Sequence, residues 1–381
     1  MSAPPPSGSL SNHDDAAPAP AAAPAPAAAV TAVGHFLPEE RLTNADLEDM
    51  VDTSDEWIRE RTGIRERRIL RDPDKATSYM ATRAVEELLD KRGITGGSVD
   101  AIIVATVTPD MFFPATACLV QAEIGADGAF GFDLSAACSG FLYAFNTGAR
   151  FIESGQCDRV LIIGADKMSS ITDYTDRSTC ILFGDGAGAV LLEPASGSSS
   201  AAGGGGGDYG LQDAYQRVDG RDWSDLHQPA GGSRKPPTCA TVENREHFLK
   251  QNGRPVFKQA VKRMAESAGA IMQRNDLTPE DVRYLVPHQA NRRIIEATAR
   301  QTGLPDEKVM INIGRYGNTT AATIPLCLHD WESELRPGDR LIMAAYGGGF
   351  TWGANLVSWA YNGEEMATPE QMRATPPDGN R

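Results

Sequence analysis

Three stretches of this chain are echoed far along it. Val99-Asp100-Ala101-Ile102-Ile103-Val104 is matched by Val282-Arg283-Tyr284-Leu285-Val286. Asp158-Arg159-Val160-Leu161-Ile162-Ile163 is matched by Asp339-Arg340-Leu341-Ile342-Met343-Ala344. These two echoes lie about 180 residues on, far beyond the period of any stacked-repeat architecture. A third stretch, Phe183-Gly184-Asp185-Gly186, is matched by Tyr346-Gly347-Gly348-Gly349. Repeats of that size are whole folding units. The 381 residues therefore read as two copies of one unit facing each other, a length that suits one large duplicated core.

The unit is of the α/β class. Ala101–Thr106, Phe130–Leu134, Val160–Gly164 and Ala189–Leu192 are short apolar runs of the kind that form buried strands. After Cys138 comes a helical stripe of Phe141, Leu142, Phe145 and Ile152, stopped by Gly155. Strands alternating with helices imply layered α/β packing. Residues 1–29, mostly Pro and Ala, bury nothing and read as a disordered arm. Ser196–Gly207 (SGSSSAAGGGGG) reads as a flexible insertion. The expected division is an arm at 1–29, a first half at 30–195, an insertion and loop at 196–240, a second half at 241–362 and a polar tail at 363–381.

Composition removes several function classes. Lys and Arg total 36 against 51 Asp and Glu, a net charge of −15, which repels nucleic-acid phosphates. No run of about 18 apolar residues is present, so no membrane span is expected. The N-terminal stretch has no Lys or Arg before Arg41, unlike a signal peptide, and the six cysteines show no CxxC pair. The expectation is a cytoplasmic protein with free thiols. No spacing resembles a metal site.

One cysteine stands apart. Cys138 lies in Ser135-Ala136-Ala137-Cys138-Ser139-Gly140, small residues suited to a sharp strand-to-helix turn. A thiol at a helix N-terminus feels the positive end of the dipole, which is expected to lower its pKa. Free N–H groups at the same corner can hold an oxyanion. His288 follows a strand directly in Val286-Pro287-His288-Gln289-Ala290-Asn291, where α/β folds place ligands. Asn318 sits in Gly317-Asn318-Thr319-Thr320, and under the internal alignment its position nearly matches that of Cys138. A papain-like protease does not fit, because its local cysteine signature is absent. Gly184–Gly188 precedes a strand, so it is not a dinucleotide loop.

Taken in order, the motifs resemble those of the 3-oxoacyl-[acyl-carrier-protein] synthase III family. They are Thr53-Ser54-Asp55-Glu56-Trp57-Ile58, Arg61-Thr62-Gly63-Ile64-Arg65-Glu66-Arg67, Ala136-Ala137-Cys138-Ser139-Gly140-Phe141, Phe183–Gly188, Val286–Asn291, Gly317-Asn318-Thr319 and Gly347-Gly348-Gly349-Phe350-Thr351-Trp352-Gly353. The resemblance spans roughly Val33 to Tyr361. It implies a thiolase-like fold, two duplicated α/β halves packed as a five-layered α-β-α-β-α core.

The resemblance also implies an activity, a decarboxylative condensation of a short acyl-CoA with malonyl on acyl carrier protein. Cys138, His288 and Asn318 would be catalytic, with the N–H groups of Cys138 and Gly348 as the oxyanion hole. Trp57, Arg61 and Arg177 would bind CoA, and Gln289, Ala290, Asn291, Arg292 and Arg293 the carrier. Phe113, Phe183 and Tyr346 would shape the acyl pocket, Phe113 by reaching across a two-fold homodimer, which suggests a short primer such as acetyl. No metal or redox cofactor is implied. A chain that moved its acyl group to another acceptor, or a non-catalytic partner subunit, typically loses part of the Cys-His-Asn set, which is intact here.

Overall fold

A computed structural model of the chain describes residues 27–195 and 209–366. The first half runs β1 (Ala28–Phe36), α1 (Asp55–Thr62), α2 (Thr77–Arg92), β2 (Ala101–Ala105), α3 (Thr116–Glu123), β3 (Phe130–Leu134), α4 (Gly140–Glu153), β4 (Val160–Lys167) and β5 (Asp185–Pro194). Its five strands are ordered β1-β5-β4-β2-β3, with β4, β2 and β3 mutually parallel and β5 antiparallel to β4 and β1. The second half supplies β6 (Gly210–Val218), α5 (Gly253–Arg274), β7 (Tyr284–Pro287), α6 (Arg292–Thr302), α7 (Thr323–Trp331), β8 (Arg340–Gly347) and β9 (Thr351–Ser358). Their sheet order is β7-β8-β9-β6 with the same sequence of pairing senses. The place of β3 is taken by Val309, in a single parallel bridge to Leu285.

The duplication holds residue by residue in the central strands. Ala101 pairs with Val160, and their two echoes Tyr284 and Leu341 pair with each other. The third echo slips. Leu192 faces Val160 and Val357 faces Leu341, which sets Gly184 against Gly349 rather than Gly347.

Alternation along the strands builds the layers. Ile103, Ile162, Val190 and Leu192 point inward and share one core with Val286, Leu341, Met343 and Val357 of the other sheet. Between the sheets lie α4, through Phe141, Leu142, Phe145 and Ile152, and α7, through Ile324, Cys327, Leu328 and Trp331. Ile102, Val104, Leu161 and Ile163 point the other way, onto α2 and α3. Leu285, Ile342 and Leu356 do the same onto α5 and α6. Strands buried on both faces read as continuous apolar runs for this reason. The outcome is the expected five layers, α-β-α-β-α. The stripe of α4 is fully buried, and the helix ends at Ser154 with Gly155 at φ +71°.

Two expected boundaries move. Ala28 and Ala29 are buried in β1, so the arm ends before them and the first half begins earlier than residue 30. The segment expected as insertion and loop contains β6, an integral strand of the second sheet. Gly210 opens that strand at φ +91°, where a Cβ would come 2.3 Å from the carbonyl oxygen of Ala28. The body of the Pro/Ala arm, the Gly/Ser run and the tail beyond Met366 lie outside the described residues.

Candidate active site

The nucleophile corner is a strained turn. Between β3 and α4 the chain passes through Ala137 at φ +46°, a left-handed conformation that costs a non-glycine residue of order 1–3 kcal/mol. The turn is tied to the β8–β9 hairpin by Thr351 Oγ1 donating to Ala136 O (2.7 Å) and Ser139 Oγ donating to Thr351 O (3.0 Å). Gly347 lies against the Cys138 amide, and a Cβ there would stand 2.5 Å from that nitrogen. Only a glycine lets the second half approach the thiol so closely.

The second half has the same corner. Before α7 the chain passes through Thr320 at φ +53°. Matching the two left-handed residues sets Cys138 against Ala321, so Asn318 stands three residues ahead of the position equivalent to the thiol. Its carbonyl oxygen Oδ1 accepts from Thr320 N (2.9 Å), which leaves the amide Nδ2 without a partner among the described residues. Backbone pairing with Phe183 fixes the loop. His288 continues the β7 ladder by donating its N–H to Ala344 O (2.8 Å). Its Nδ1 lies 2.7 Å from Thr323 Oγ1, and its Nε2 has no partner among the described residues.

Cys138, His288 and Asn318 line one cavity of about 500 Å³. Cys138 also lines a second, of about 320 Å³, walled by Val107, Met168, Ile171, Leu226 and Leu249. Phe183 borders both. The thiol thus stands where a larger channel meets a smaller, mostly apolar pocket. Gly348 lines the same pocket as Cys138.

The electrostatics of the thiol reverse the expectation. Burial and the nearby Asp166 carboxylate push the Cys138 thiol up to about 12. A helix N-terminus contributes at most ~2 kcal/mol, whereas three pKa units correspond to about 4 kcal/mol. Burial wins, and the resting thiol is protonated. Burial also holds His288 down to about 3, so its imidazole is neutral. Asp166 is itself pushed up to about 6 by burial, although Val107 N, Ala321 N, Thr106 and Thr108 all donate to it.

The other expected site residues divide. Trp57 is flanked by Arg177 and Arg61, at 4.6 and 5.2 Å from its ring centre, and Arg61 lines the channel. Ala290, Asn291 and Arg293 line the channel as well, with Arg293 over the ring of Phe257. Asn291 caps α6 through Arg293 N and donates to Arg61 O. Arg292 packs against Gly63 and pairs with Glu296. Gln289 is no surface contact. It is fully buried, donates to Pro287 O and Met310 O, and accepts from Asn312 N and Ile313 N. Tyr346 borders the channel rather than the apolar pocket, stacked on Phe350. Phe113 is 85% exposed and lines neither cavity of its own chain.

Several residues escaped sequence reasoning: Phe257 on the channel wall, the apolar walls of the pocket, Asp166 and Thr323. One cluster of metal-ligating types also comes together, His35, Glu87 and His329. Glu87 lies 2.7 Å from His35 Nδ1, 3.2 Å from His329 Nε2 and 3.1 Å from Lys91 Nζ. The two rings stack at 3.6 Å and 22°, so their lone pairs lie in separate, nearly parallel planes instead of meeting at one point as a bound ion requires.

Known proteins share this architecture and much of the sequence. Residues 272–359 match the family model of the 3-oxoacyl-[acyl-carrier-protein] synthase III C terminal, and residues 132–204 match the family model of 3-oxoacyl-[acyl-carrier-protein] synthase III. The chain is 56% identical to the beta-ketoacyl-[acyl-carrier-protein] synthase III of Chlorobaculum tepidum over 87% of its own length and 99% of that protein's. The chain belongs to the 3-oxoacyl-[acyl-carrier-protein] synthase III family. The corresponding protein of Porphyromonas gingivalis is 52% identical, over 89% of this chain and 98% of that one. The crystal structure of the synthase III of Aquifex aeolicus superposes with a TM-score of 0.78 at 42% identity, covering 87% of this chain and all of the other. Xanthomonas campestris OleA shares the fold at 20% identity, with a TM-score of 0.73. Among the described residues no helix is long and apolar enough to cross a membrane.

Proposed function

We propose that this enzyme starts fatty-acid assembly, loading a short acyl group from acyl-CoA onto Cys138 and condensing it with malonyl held on acyl carrier protein. The observation that carries this conclusion is the place of Cys138 in the walls of two cavities at once, a larger channel and a smaller, mostly apolar pocket. A pantetheine arm fits the first and an acyl chain the second. Trp57, Arg61 and Arg177 serve the adenine end of CoA, where planar cations and an indole favour a base.

In the first half-reaction Sγ attacks the thioester carbonyl and the CoA thiol departs, taking up the proton that Cys138 loses. In the second, malonyl loses CO2 and the electrons of the broken C–C bond form an enolate. His288 Nε2 and Asn318 Nδ2 donate to its oxygen. The enolate carbon attacks the acyl-Cys138 carbonyl, and the N–H groups of Cys138 and Gly348 hold the tetrahedral oxyanion. The thiolate then leaves and is reprotonated, which its high pKa favours. Decarboxylation drives the carbon–carbon bond, so the scheme uses neither a metal nor a redox cofactor.

Arg293, with Arg254 beside it on the channel wall, offers local positive charge to an acidic carrier on an otherwise acidic enzyme. Met111, Phe112 and Phe113 are 46, 81 and 85% exposed, an apolar tip that a second copy of the chain would cover. In such a homodimer Phe113 closes the partner's pocket and keeps the primer short. The test is intact-protein mass spectrometry after incubation with a panel of acyl-CoAs. Acetyl should add once per chain, on Cys138, and not at all in Cys138→Ser. Label on another cysteine refutes the assignment.

A further inference from the structure

The contact that orients His288 is unusual for a catalytic imidazole. Among the described residues its Nδ1 meets no carboxylate and no backbone group; it meets the hydroxyl of Thr323, 2.7 Å away, the first residue of α7 and three residues past the strained Thr320 corner. Both residues are buried, at 1 and 2% exposure, so no bulk water competes for this bond. The hydroxyl has one proton and two neighbours able to accept it, His288 Nδ1 at 2.7 Å and Thr320 O at 3.1 Å. The two choices have opposite consequences. Given to Thr320 O, the proton leaves Thr323 accepting from Nδ1–H, and Nε2 becomes a bare lone pair, a base. Given to Nδ1, it leaves the ring proton on Nε2, a donor aimed into the channel that also holds Cys138 and Asn318.

Three observations favour the second arrangement. The contact to Nδ1 is the shorter one. Among the described residues no anion lies against Nδ1 to steady the imidazolium that a base would become, as a carboxylate does in a Ser-His-Asp triad. A second donor in the wall of the same cavity is set in a similar way, since Asn318 Oδ1 is occupied by Thr320 N and its Nδ2 has no partner among the described residues. We infer that Thr323 is a positioning residue that donates its hydroxyl proton to His288 Nδ1, fixing the ring plane and the Nε2–H tautomer required to hold the enolate. One short segment, Asn318 to Thr323, then aims both enolate donors. This assignment rests on the donor role given to His288 above.

The test uses the full-length enzyme. In 15N-histidine-labelled protein at pH 6–8, the His288 signals, identified by their loss in His288→Ala, should show a protonated Nε2 and a lone-pair Nδ1. Thr323→Val, which keeps the shape and removes the hydroxyl, should lower malonyl decarboxylation by about 10²-fold in kcat with little change in KM, as expected for a misplaced catalytic group. Acetyl transfer to Cys138 should fall far less, and Thr323→Ser should restore most of the decarboxylation. A protonated Nδ1 in the wild type overturns the proposal. So does a Thr323→Val enzyme with wild-type decarboxylation, or a Thr323→Ser enzyme as slow as Thr323→Val. If His288→Ala itself still decarboxylates malonyl normally, the fault lies with the donor role of His288 instead.

Discussion

Cys138 should behave as a weakly acidic thiol until substrate arrives, and alkylation with iodoacetamide measures this directly. A thiol pushed up to about 12 is ~10⁻⁴ thiolate at pH 8, against ~0.1 for one at 9, a ~10³-fold deficit. The more basic thiolate recovers part of this, because nucleophilicity rises with pKa at a Brønsted slope of ~0.4–0.5, a gain of ~20-fold over three units. The net expectation is ~50-fold slower alkylation than for an ordinary thiol, before any steric hindrance. Since hindrance scales the rate without bending its pH profile, the profile is the decisive readout. Peptide mass spectrometry separates Cys138 from the exposed Cys118 and Cys239. The logarithm of the Cys138 rate should climb with unit slope through pH 10 with no plateau. Asp166→Asn, which removes one of the two causes of the shift, should bring the plateau to lower pH. A wild-type plateau below pH 9 would refute the reasoning and show that the amides at the start of α4 outweigh burial.

Three further outcomes are expected. His288→Ala and Asn318→Ala should each lose malonyl decarboxylation by about 10²–10³-fold; acyl loading, followed by mass spectrometry, should fall far less in both, and equal loss of both half-reactions in Asn318→Ala contradicts its role. Arg293→Glu should weaken use of malonyl carrier while sparing acetyl-CoA loading, with the difference shrinking as salt rises, in paired steady-state titrations. Gln289→Ala should lower stability by at least about 4 kcal/mol in denaturant unfolding, because four buried backbone groups lose their partner at roughly 1–3 kcal/mol each; a carrier-specific defect with unchanged stability would return Gln289 to the docking surface.

Sequence reveals what is periodic or locally patterned, and the structure shows where that stops. The central strands, the α4 stripe and its glycine stop are read directly, since burial on both faces leaves apolar runs in the sequence. Cys138 is legible because the small residues around it have no reason to cluster except a tight corner. Its acidity is not legible from that corner alone, because the opposing charge is 28 residues away on β4. A signal did exist: Asp166 is the one acid in the otherwise apolar run Val160–Ala165 and its continuation, a position that burial makes costly. Gln289 looks like the polar start of an exposed helix, and only the fold reveals that it braces two loops. Thr323 is 35 residues from His288. The pocket walls at Met168, Ile171, Leu226 and Leu249 come from loops and elements of two or three residues, too short for apolar residues to show a period. The third sequence echo failed for a related reason, as glycines in a hairpin align at several offsets.

The paired left-handed corners bear on stoichiometry. Two copies of one unit present two corners of the same shape, at Cys138 and at Ala321, yet a chain built this way carries a single acyl group. At the second corner the amide that would cradle an oxyanion already donates to Asp166 (3.1 Å), and that carboxylate would repel a negative oxygen at the same spot. The backbone there is also pressed against β4, since a Cβ on Gly164 would stand 2.3 Å from Ala321 O. A thiol introduced by Ala321→Cys should therefore remain unacylated, and a titration with labelled acetyl-CoA should still saturate at one equivalent per chain. Duplication has supplied the enclosure twice and the reactive centre once, so product forms in single file, with each carrier waiting on one sulfur atom.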